Sequence, residues 1–192
     1  MRRTLVLISV ALVIFCSGKS QNIAVKSNIL YDATSTLNLG LEIGLTPKWT
    51  LELPVNYNPW SFSDSSKIKH WAIQPEARYW FCEKFNGHFL GIHGLVGGYN
   101  VGGIDMFGLK EHRYEGNMYG GGLSYGYQWI LNNRWSMEVT VGAGYVYLEH
   151  NKYRCGKCES KIKNPDRPAD DMFTKSWIGP TKAGISIIYV IK

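Results

Sequence analysis

The sequence predicts an all-β protein, an eight-stranded antiparallel up-and-down transmembrane β-barrel of a bacterial outer membrane. Three observations predict it. Bulky apolar residues alternate with small or polar ones along most of the chain, aromatic residues recur near both ends of the alternating segments, and short connections alternate with long ones. After residue 20, no stretch reaches the roughly 18 consecutive apolar residues that are typical of a transmembrane helix.

The N-terminal residues 1–20 are expected to be a cleaved signal peptide. Arg2 and Arg3 precede an apolar run at residues 5–15, and small residues follow, as in secretory signals. The run is shorter than the roughly 20 residues that a helix needs to span a bilayer. We therefore expect residues 21–192 to form one exported outer-membrane domain; the alternative is a short anchor that is retained.

Removal of the signal peptide changes the charge balance. The signal holds three basic residues, so 18 basic and 15 acidic residues remain, and the net charge falls from +6 to +3. A charge this small gives no support for a nucleic-acid partner. Three of the four cysteines remain, which is too few for a small domain held together by disulfides.

The period-two pattern predicts eight strands. In the third of them, Leu51 and Val55 share one face, and Glu52 and Asn56 share the other. The face opposite the bulky residues is mostly Gly, Ser and Thr, which suits the crowded interior of a narrow barrel better than the wet face of a soluble sandwich. The predicted segments, in order, are 22–31, 38–45, 49–57, 69–81, 88–100, 119–129, 135–147 and a last one that ends at residue 191.

Aromatic residues lie near both ends of five predicted strands. A separation of 8 to 12 residues, at a rise of about 3.3 Å per residue and a tilt near 40°, corresponds to at least roughly 20 Å, close to the apolar band of outer-membrane barrels. Trp and Tyr favour the two membrane interfaces. The predicted aromatic girdles consist of the pairs Trp49 and Tyr57, Trp71 and Tyr79, Tyr119 and Trp129, Trp135 and Tyr145, and Trp177 and Tyr189.

The connections between strands alternate in length. Outer-membrane barrels have short periplasmic turns and long external loops, so this alternation places both termini in the periplasm. The first external link, residues 32–37, is shorter than the pattern predicts. The short links are residues 46–48, 82–87 and 131–134, and the long ones are about 58–68, 102–117 and 149–176.

Seven charged residues fall in the phase of the small-residue face. We favour a buried ion-pair network that plugs the lumen, because eight-stranded interiors are filled and buried charges need partners. The alternative is a path for protons or ions. The seven residues are Lys26, Glu42, Glu52, Glu76, Arg78, Glu138 and Lys182.

The motif Cys155-Gly-Lys-Cys158 lies in the last predicted loop. A redox role needs a helix N-terminus in a βαβ unit, which is missing here, and zinc needs about four ligands, of which this pair and His150 are an incomplete set. We therefore interpret Cys155 and Cys158 as a loop disulfide or as two free thiols. No metal ion or cofactor is expected.

Five histidines are scattered along the chain, and two of them raise the possibility of catalysis at the external rim. His70 has Asp64 and Ser66 nearby in sequence, and His112 has Asp105. A catalytic triad is defined by geometry, and nothing in these spacings requires one. We expect no enzyme; the alternative is an outer-membrane hydrolase or acyltransferase.

Several segments resemble domain-of-unknown-function family 3575, which comprises small outer-membrane barrels of Bacteroidetes. The resemblance implies an exported barrel, sometimes encoded beside surface fimbria genes, and it carries no catalytic residues. The chain ends without the terminal aromatic residue of many barrels, and we expect Tyr189 to replace it. The matching stretches are VKSNILYDAT at 25–34, NLGLEIGL at 38–45, WTLELPVNYNPW at 49–60, QPEARYWF at 74–81 and GPTKAGISIIYVI at 179–191.

The expected function is structural, as a monomeric anchor or surface-interaction protein, with a link to fimbria or adhesion assembly. The expected partners are outer-membrane lipid, the barrel-assembly machinery and fimbrial or other cell-surface proteins, without nucleic acid. The sequence allows two alternatives. One is the enzyme at the external rim, and the other is a soluble periplasmic carrier like a lipocalin, which predicts an apolar interior.

Overall fold

The structure is a computed structural model that describes residues 23–60, 67–102, 112–154, 160–162 and 172–191. The predicted signal peptide lies outside these residues. No helix in the described ranges is long and apolar enough to cross a membrane. The described elements are β1 (Ile23–Asn28), α1 (Ile29–Ala33), β2 (Leu37–Gly44), β3 (Trp49–Asn58), β4 (Lys67–Ile73), β5 (Glu76–Trp80), β6 (Gly87–Gly102), β7 (His112–Ile130), β8 (Trp135–Arg154), β9 (Ser160–Ile162) and β10 (Phe173–Ile191).

These strands form one antiparallel sheet that closes on itself, because β10 pairs with both β1 and β8. β4 and β5 both pair with β3 and β6, so together they fill one position in the wall. The three-residue β9 only extends the sheet beside the end of β8. The described strands therefore form an eight-stranded up-and-down barrel, and the predicted all-β fold is confirmed.

The two faces of the wall have opposite chemistry. Leu51, Ile92 and Leu123 point outward and are exposed, whereas Glu52 and Thr50 point inward and are buried. This is the phase that the period-two pattern predicts. The barrel is therefore apolar outside and largely polar inside.

The lumen is filled in three layers. At the end with the short turns, Ala24, Phe85 and Ile188 form an apolar cluster, and the ring of Trp80 packs on that of Phe85. At the end with the long connections, a second apolar cluster contains Ala72, Leu95 and Val146. The charged residues occupy the layer between these two clusters. Both ends of the charged layer are thus covered by apolar side chains.

The first predicted strand, residues 22–31, is only partly correct. Pairing ends at Asn28, and residues 29–33 form α1. The side-chain oxygen of Asn28 accepts a hydrogen bond from Leu30 N at 3.1 Å, which caps the helix, and another from Ile185 N at 3.2 Å. Its Nδ2 donates to the carbonyl of Ala183 at 3.2 Å. The side-chain amide of Asn28 therefore takes the place of a strand in hydrogen bonding to the backbone of β10 at Ala183 and Ile185.

Beyond this point α1 lies against β10 in the place of a strand. β10 continues to Phe173 with β8 as its described strand partner, while α1 covers part of its other edge. A groove of about 310 Å³ between them is lined by Tyr31 of α1 and by Pro180 and Thr181 of β10, among others. The barrel wall is thus interrupted on this side.

Replacing Asn28 with alanine is expected to lower the free energy of unfolding by about 1–2 kcal/mol, because the helix cap and the bonds to β10 are lost together. The measurement is urea unfolding of the refolded barrel, followed by tryptophan fluorescence. Asn133→Ala in the exposed turn at the opposite end is the matched control, for which a change within about 0.5 kcal/mol is expected. Equal effects of the two variants would contradict the role of Asn28.

Strand pairing continues into the predicted external loops. The β6–β7 and β7–β8 ladders run without a register shift to Gly102, His112 and Arg154. Residues 112–117, 149–154 and 173–176 are therefore strand and not loop, which shortens the long connections. The fourth predicted strand, in contrast, is interrupted at Gln74 and Pro75, since proline has no N–H for the ladder.

A β-bulge in β10 reverses which side chains face the lumen in the part of the strand that precedes the bulge. The register shifts between Pro180 and Lys182, so that Trp177 lies opposite Val146, a lumen-facing residue. Ile178 points outward instead and is 82% exposed. Because one extra residue moves every side chain to the other face, Trp177 does not share a face with Tyr145. Its side chain is nevertheless 48% exposed, and its place in a girdle stays a prediction.

Candidate functional site

Arg78 of β5 is the centre of the charged layer. Its Nη1 contacts a carboxylate oxygen of Glu138 at 2.9 Å and one of Glu42 at 3.2 Å. Its Nε donates to Glu76 at 2.8 Å, and its Nη2 forms an ion pair with Glu52. The Arg78 side chain is completely buried. One guanidinium group therefore joins carboxylates from four wall strands.

The two lysines complete the layer. Lys26 Nζ donates to Glu138 at 2.7 Å and forms an ion pair with Glu42. Lys182 Nζ donates to Glu52 at 3.1 Å and also bonds to Glu76. Together with Arg78, the structure brings all seven predicted lumen residues into one connected network.

Hydroxyl and indole groups surround this network, and the sequence did not single them out. Thr140 Oγ1 donates to Glu138 at 2.6 Å, and Ser124 Oγ donates to Glu76 at 3.0 Å. On the other side, Thr50 Oγ1 donates to Glu42 at 2.5 Å and accepts from Trp80 Nε1 at 2.9 Å. The only sequence signal for the three hydroxyl residues is that they share the phase of the small-residue face.

Glycines make room for the long charged side chains. Gly91 lies opposite Arg78 across the β5–β6 ladder, and a Cβ at Gly91 would collide with the oxygens of Glu76 and Ser124. Gly40 lies opposite Lys26 in the same way. A larger residue at Gly91 would displace the carboxylate that Arg78 binds.

The lumen beside the network has little free space. The cavity that borders Lys26, Glu52 and Arg78 measures about 30 Å³, which is about the volume that one water molecule occupies in the liquid. Four carboxylates and three cations fill the described part of this layer. The arrangement has the geometry of a plug.

The bulged residue Thr181 is tied to the lumen from two sides. Its hydroxyl lies 2.9 Å from His93 Nε2, and its carbonyl accepts from Gln74 Nε2 at 3.0 Å. His93 belongs to β6, so its side chain extends through the lumen, past β7 and β8, to reach Thr181 of β10. Its ring lies close to Gly142 of β8, where a side chain would crowd it.

The predicted girdle residues other than Trp177 form two groups on the outer surface. At the short-turn end, the rings of Trp49 and Tyr79 are 5.3 Å apart, and those of Trp135 and Tyr189 are 5.1 Å apart. Trp129 belongs to the same end. The opposite group is exposed and consists of Tyr57, Trp71, Tyr119 and Tyr145. The sequence missed a further aromatic contact at the short-turn end, where Tyr125 Oη lies 2.6 Å from His88 Nδ1.

Several predicted residues lie outside the part of the chain that the structure describes. They are Cys155 and Cys158, the candidate acids Asp64 and Asp105, and Ser66. The side chain of His112 also lies outside it.

His150 packs on the ring of Phe173, with 5.9 Å between the ring centres. Within the described ranges, no group of three or more His, Cys, Asp or Glu side chains is placed to hold a metal ion. The described cysteine, Cys82, is exposed at the short-turn end and carries a free thiol.

An open groove of about 510 Å³ lies at the end with the long connections. We call it the rim groove. It is lined mainly by polar and aromatic residues: Tyr57, Asn58, Pro59, Lys69, His70, Trp71, Gly98, Tyr99, Asn100, Glu115, Gly116, Asn117, Asn151, Tyr153 and Met172. Its volume exceeds that of the groove between α1 and β10.

The comparisons with known proteins give one match. A family model described as "Protein of unknown function (DUF3575)" matches residues 5–191, nearly the whole chain. No curated protein and no solved structure matches.

Proposed function

Since the chain belongs to the family described as protein of unknown function DUF3575, we propose from its geometry a structural function in the outer membrane. The barrel is a membrane anchor with a sealed lumen, and its rim carries the contacts with other surface molecules. Fimbrial or other cell-surface proteins are the proposed partners, and no catalytic step is assigned to the chain.

The apolar outer face carries this proposal. Ile92 and Leu123 are direct cross-strand neighbours, exposed by 66% and 64%, and Val141 lies close to them on the next strand. Soluble monomers rarely expose contiguous apolar patches larger than a few hundred Å². A lipid environment removes this surface from water, and burial of apolar surface stabilises by about 25 cal/mol per Å².

The two aromatic groups agree with a membrane of ordinary thickness. On β8, Trp135 and Tyr145 are ten residues apart and both exposed. With a rise of about 3.3 Å per residue and the usual tilt of outer-membrane strands, this separation corresponds to roughly 25 Å, the height of the apolar band in such barrels.

The filled lumen favours an anchor over a channel or a carrier. A lipocalin-like carrier requires an apolar interior, and here the middle layer is built around Arg78 and its carboxylates. β8 continues to Arg154, nine residues past Tyr145, which corresponds to about 20–25 Å above the upper aromatic group. This extension supports a role in which the rim makes contacts outside the cell.

Cell fractionation combined with a heat-shift gel tests the proposal. We expect the protein in the detergent-extracted envelope fraction, and we expect unboiled and boiled samples to migrate differently because the closed barrel resists SDS until heated. Recovery of the folded protein in the aqueous periplasmic extract would overturn the proposal.

A further inference from the structure

The rim groove contains a polar row that crosses four strands. Lys69 of β4 lies opposite Asn100 of β6, Asn100 lies opposite Glu115 of β7, and Glu115 lies opposite Asn151 of β8. Directly opposed residues of an antiparallel sheet point to the same face. The four side chains therefore form one continuous polar surface, although they come from distant parts of the sequence.

Two oxygens of this row have no hydrogen-bond donor among the described residues. The Oδ1 atoms of Asn100 and Asn151 are buried, and within the described residues neither accepts a hydrogen bond. A buried acceptor without a partner is unfavourable and rare in folded proteins. Both residues line the groove, so a ligand with hydroxyl groups would satisfy these oxygens once rotation of each amide turns its oxygen toward the groove.

An aromatic ring borders the row. Trp71 lies opposite Gly98, and its indole covers that glycine so closely that a Cβ at Gly98 would collide with Trp71 Nε1. Tyr57 is the cross-strand neighbour of Trp71 on the other side. The absence of a side chain at Gly98 lets the indole lie against β6, two residues from Asn100.

The charges of the row point to a neutral ligand. Lys69 and Glu115 lie on either side of Asn100, so the row itself has no net charge. The carboxylate of Glu115 is also within 3.2 Å of Arg113 Nη2. Amide groups in one cross-strand row and an aromatic surface, in a groove of about 510 Å³, are suited to a molecule with many hydroxyls and an apolar C–H face.

We propose that the rim groove binds a neutral, polyhydroxylated sugar unit of a glycan. The amide oxygens of Asn100 and Asn151 accept hydrogen bonds from its hydroxyl groups, and the Trp71 indole packs against its C–H face. This inference rests on the proposed surface role of the rim. The sugar belongs either to a free or protein-linked glycan or to the headgroup of a membrane glycolipid, since both present the same chemistry.

The test uses the purified barrel in lauryldimethylamine oxide, because sugar-headed detergents would compete for the groove. The probes are a printed array of neutral and anionic oligosaccharides, and nanodiscs that contain either complete lipopolysaccharide or lipid A alone. We expect binding to neutral oligosaccharides, to complete lipopolysaccharide or to both. Asn100→Ala and Asn151→Ala should each weaken this binding about tenfold, and Trp71→Ala by at least as much.

Matched controls lie at the opposite end of the barrel. Asn133→Ala is the control for the two asparagine variants. Trp129→Ala is the control for Trp71→Ala, because Trp129 is 42% exposed and Trp71 is 43% exposed. Both controls should bind within twofold of the wild type, and the heat-shift gel verifies that each variant is folded. Absence of binding by folded wild type, binding confined to anionic oligosaccharides, equal binding to lipid A alone and to complete lipopolysaccharide, or equal binding by groove variants and controls would overturn the inference. None of these results would affect the fractionation test.

Discussion

Replacing Arg78 with methionine is expected to lower the free energy of unfolding by about 3–5 kcal/mol. The side chain is fully buried and contacts Glu42, Glu52, Glu76 and Glu138. Its loss would leave these four carboxylates with two lysines in a layer that water hardly enters. Removal of one partner from a buried ion pair is costly because the remaining charges stay desolvated.

The measurement is reversible urea unfolding of the wild type and the variant in lipid vesicles. Arg134→Ala is the matched control, because Arg134 is exposed and its described side-chain contact is one hydrogen bond to Tyr189 Oη at 2.9 Å. A change of less than about 1 kcal/mol is expected for the control. The Arg78→Met, Glu138→Gln double variant should recover part of the loss, since one carboxylate no longer needs a counter-charge. Equal stability of Arg78→Met and wild type would contradict the conclusion that Arg78 holds the buried charged layer together.

Replacing Leu123 with arginine is expected to cost about 2–4 kcal/mol in a bilayer, because the charge would lie near the middle of the apolar band. Leu123 is 64% exposed at the centre of β7. In a water-soluble protein, an exposed leucine accepts arginine with a change within about 0.5 kcal/mol. The variant therefore distinguishes a wall in contact with lipid from one in contact with water.

Leu131→Arg provides the comparison at nearly the same exposure, 61%. Leu131 follows β7 in a short turn beyond the lower aromatic group, so its arginine would lie at or outside the interface and cost about 0–1 kcal/mol. Both variants are unfolded by urea from vesicles of the same lipid. Similar costs for Leu123→Arg and Leu131→Arg would contradict a membrane-embedded wall.

The strands and the lumen charges were predictable because both depend on a local pattern. Period-two alternation determines which side chains share a face, so Glu52 and Glu138 could be placed inside without knowledge of their partners. The pairing partners were not predictable. Arg78 and Glu138 are 60 residues apart in sequence, and only the register of the closed sheet brings them together.

The departures from the predicted fold have non-local causes. Residues 29–31 belong to the first predicted strand, yet they form a helix because the Asn28 amide bonds to β10, more than 150 residues away. The inverted phase of Trp177 results from one bulged residue near Pro180, and alternation alone cannot locate such an insertion. The rim groove depends on register across four strands, so its residues carry no common sequence signal.

Spin labelling of the outer face tests most directly whether the apolar outer wall of the barrel lies in a membrane. Single cysteines are introduced at positions 92, 123 and 141 in a chain of residues 21–192 with Cys82, Cys155 and Cys158 replaced by serine. The labelled proteins are reconstituted in lipid vesicles. Oxygen partitions into hydrocarbon, whereas a neutral nickel chelate stays in water. We predict that oxygen collides more often than the nickel chelate with labels at all three positions. More frequent collisions with the nickel chelate at these positions would mean that water covers the wall and that the barrel does not lie in a membrane.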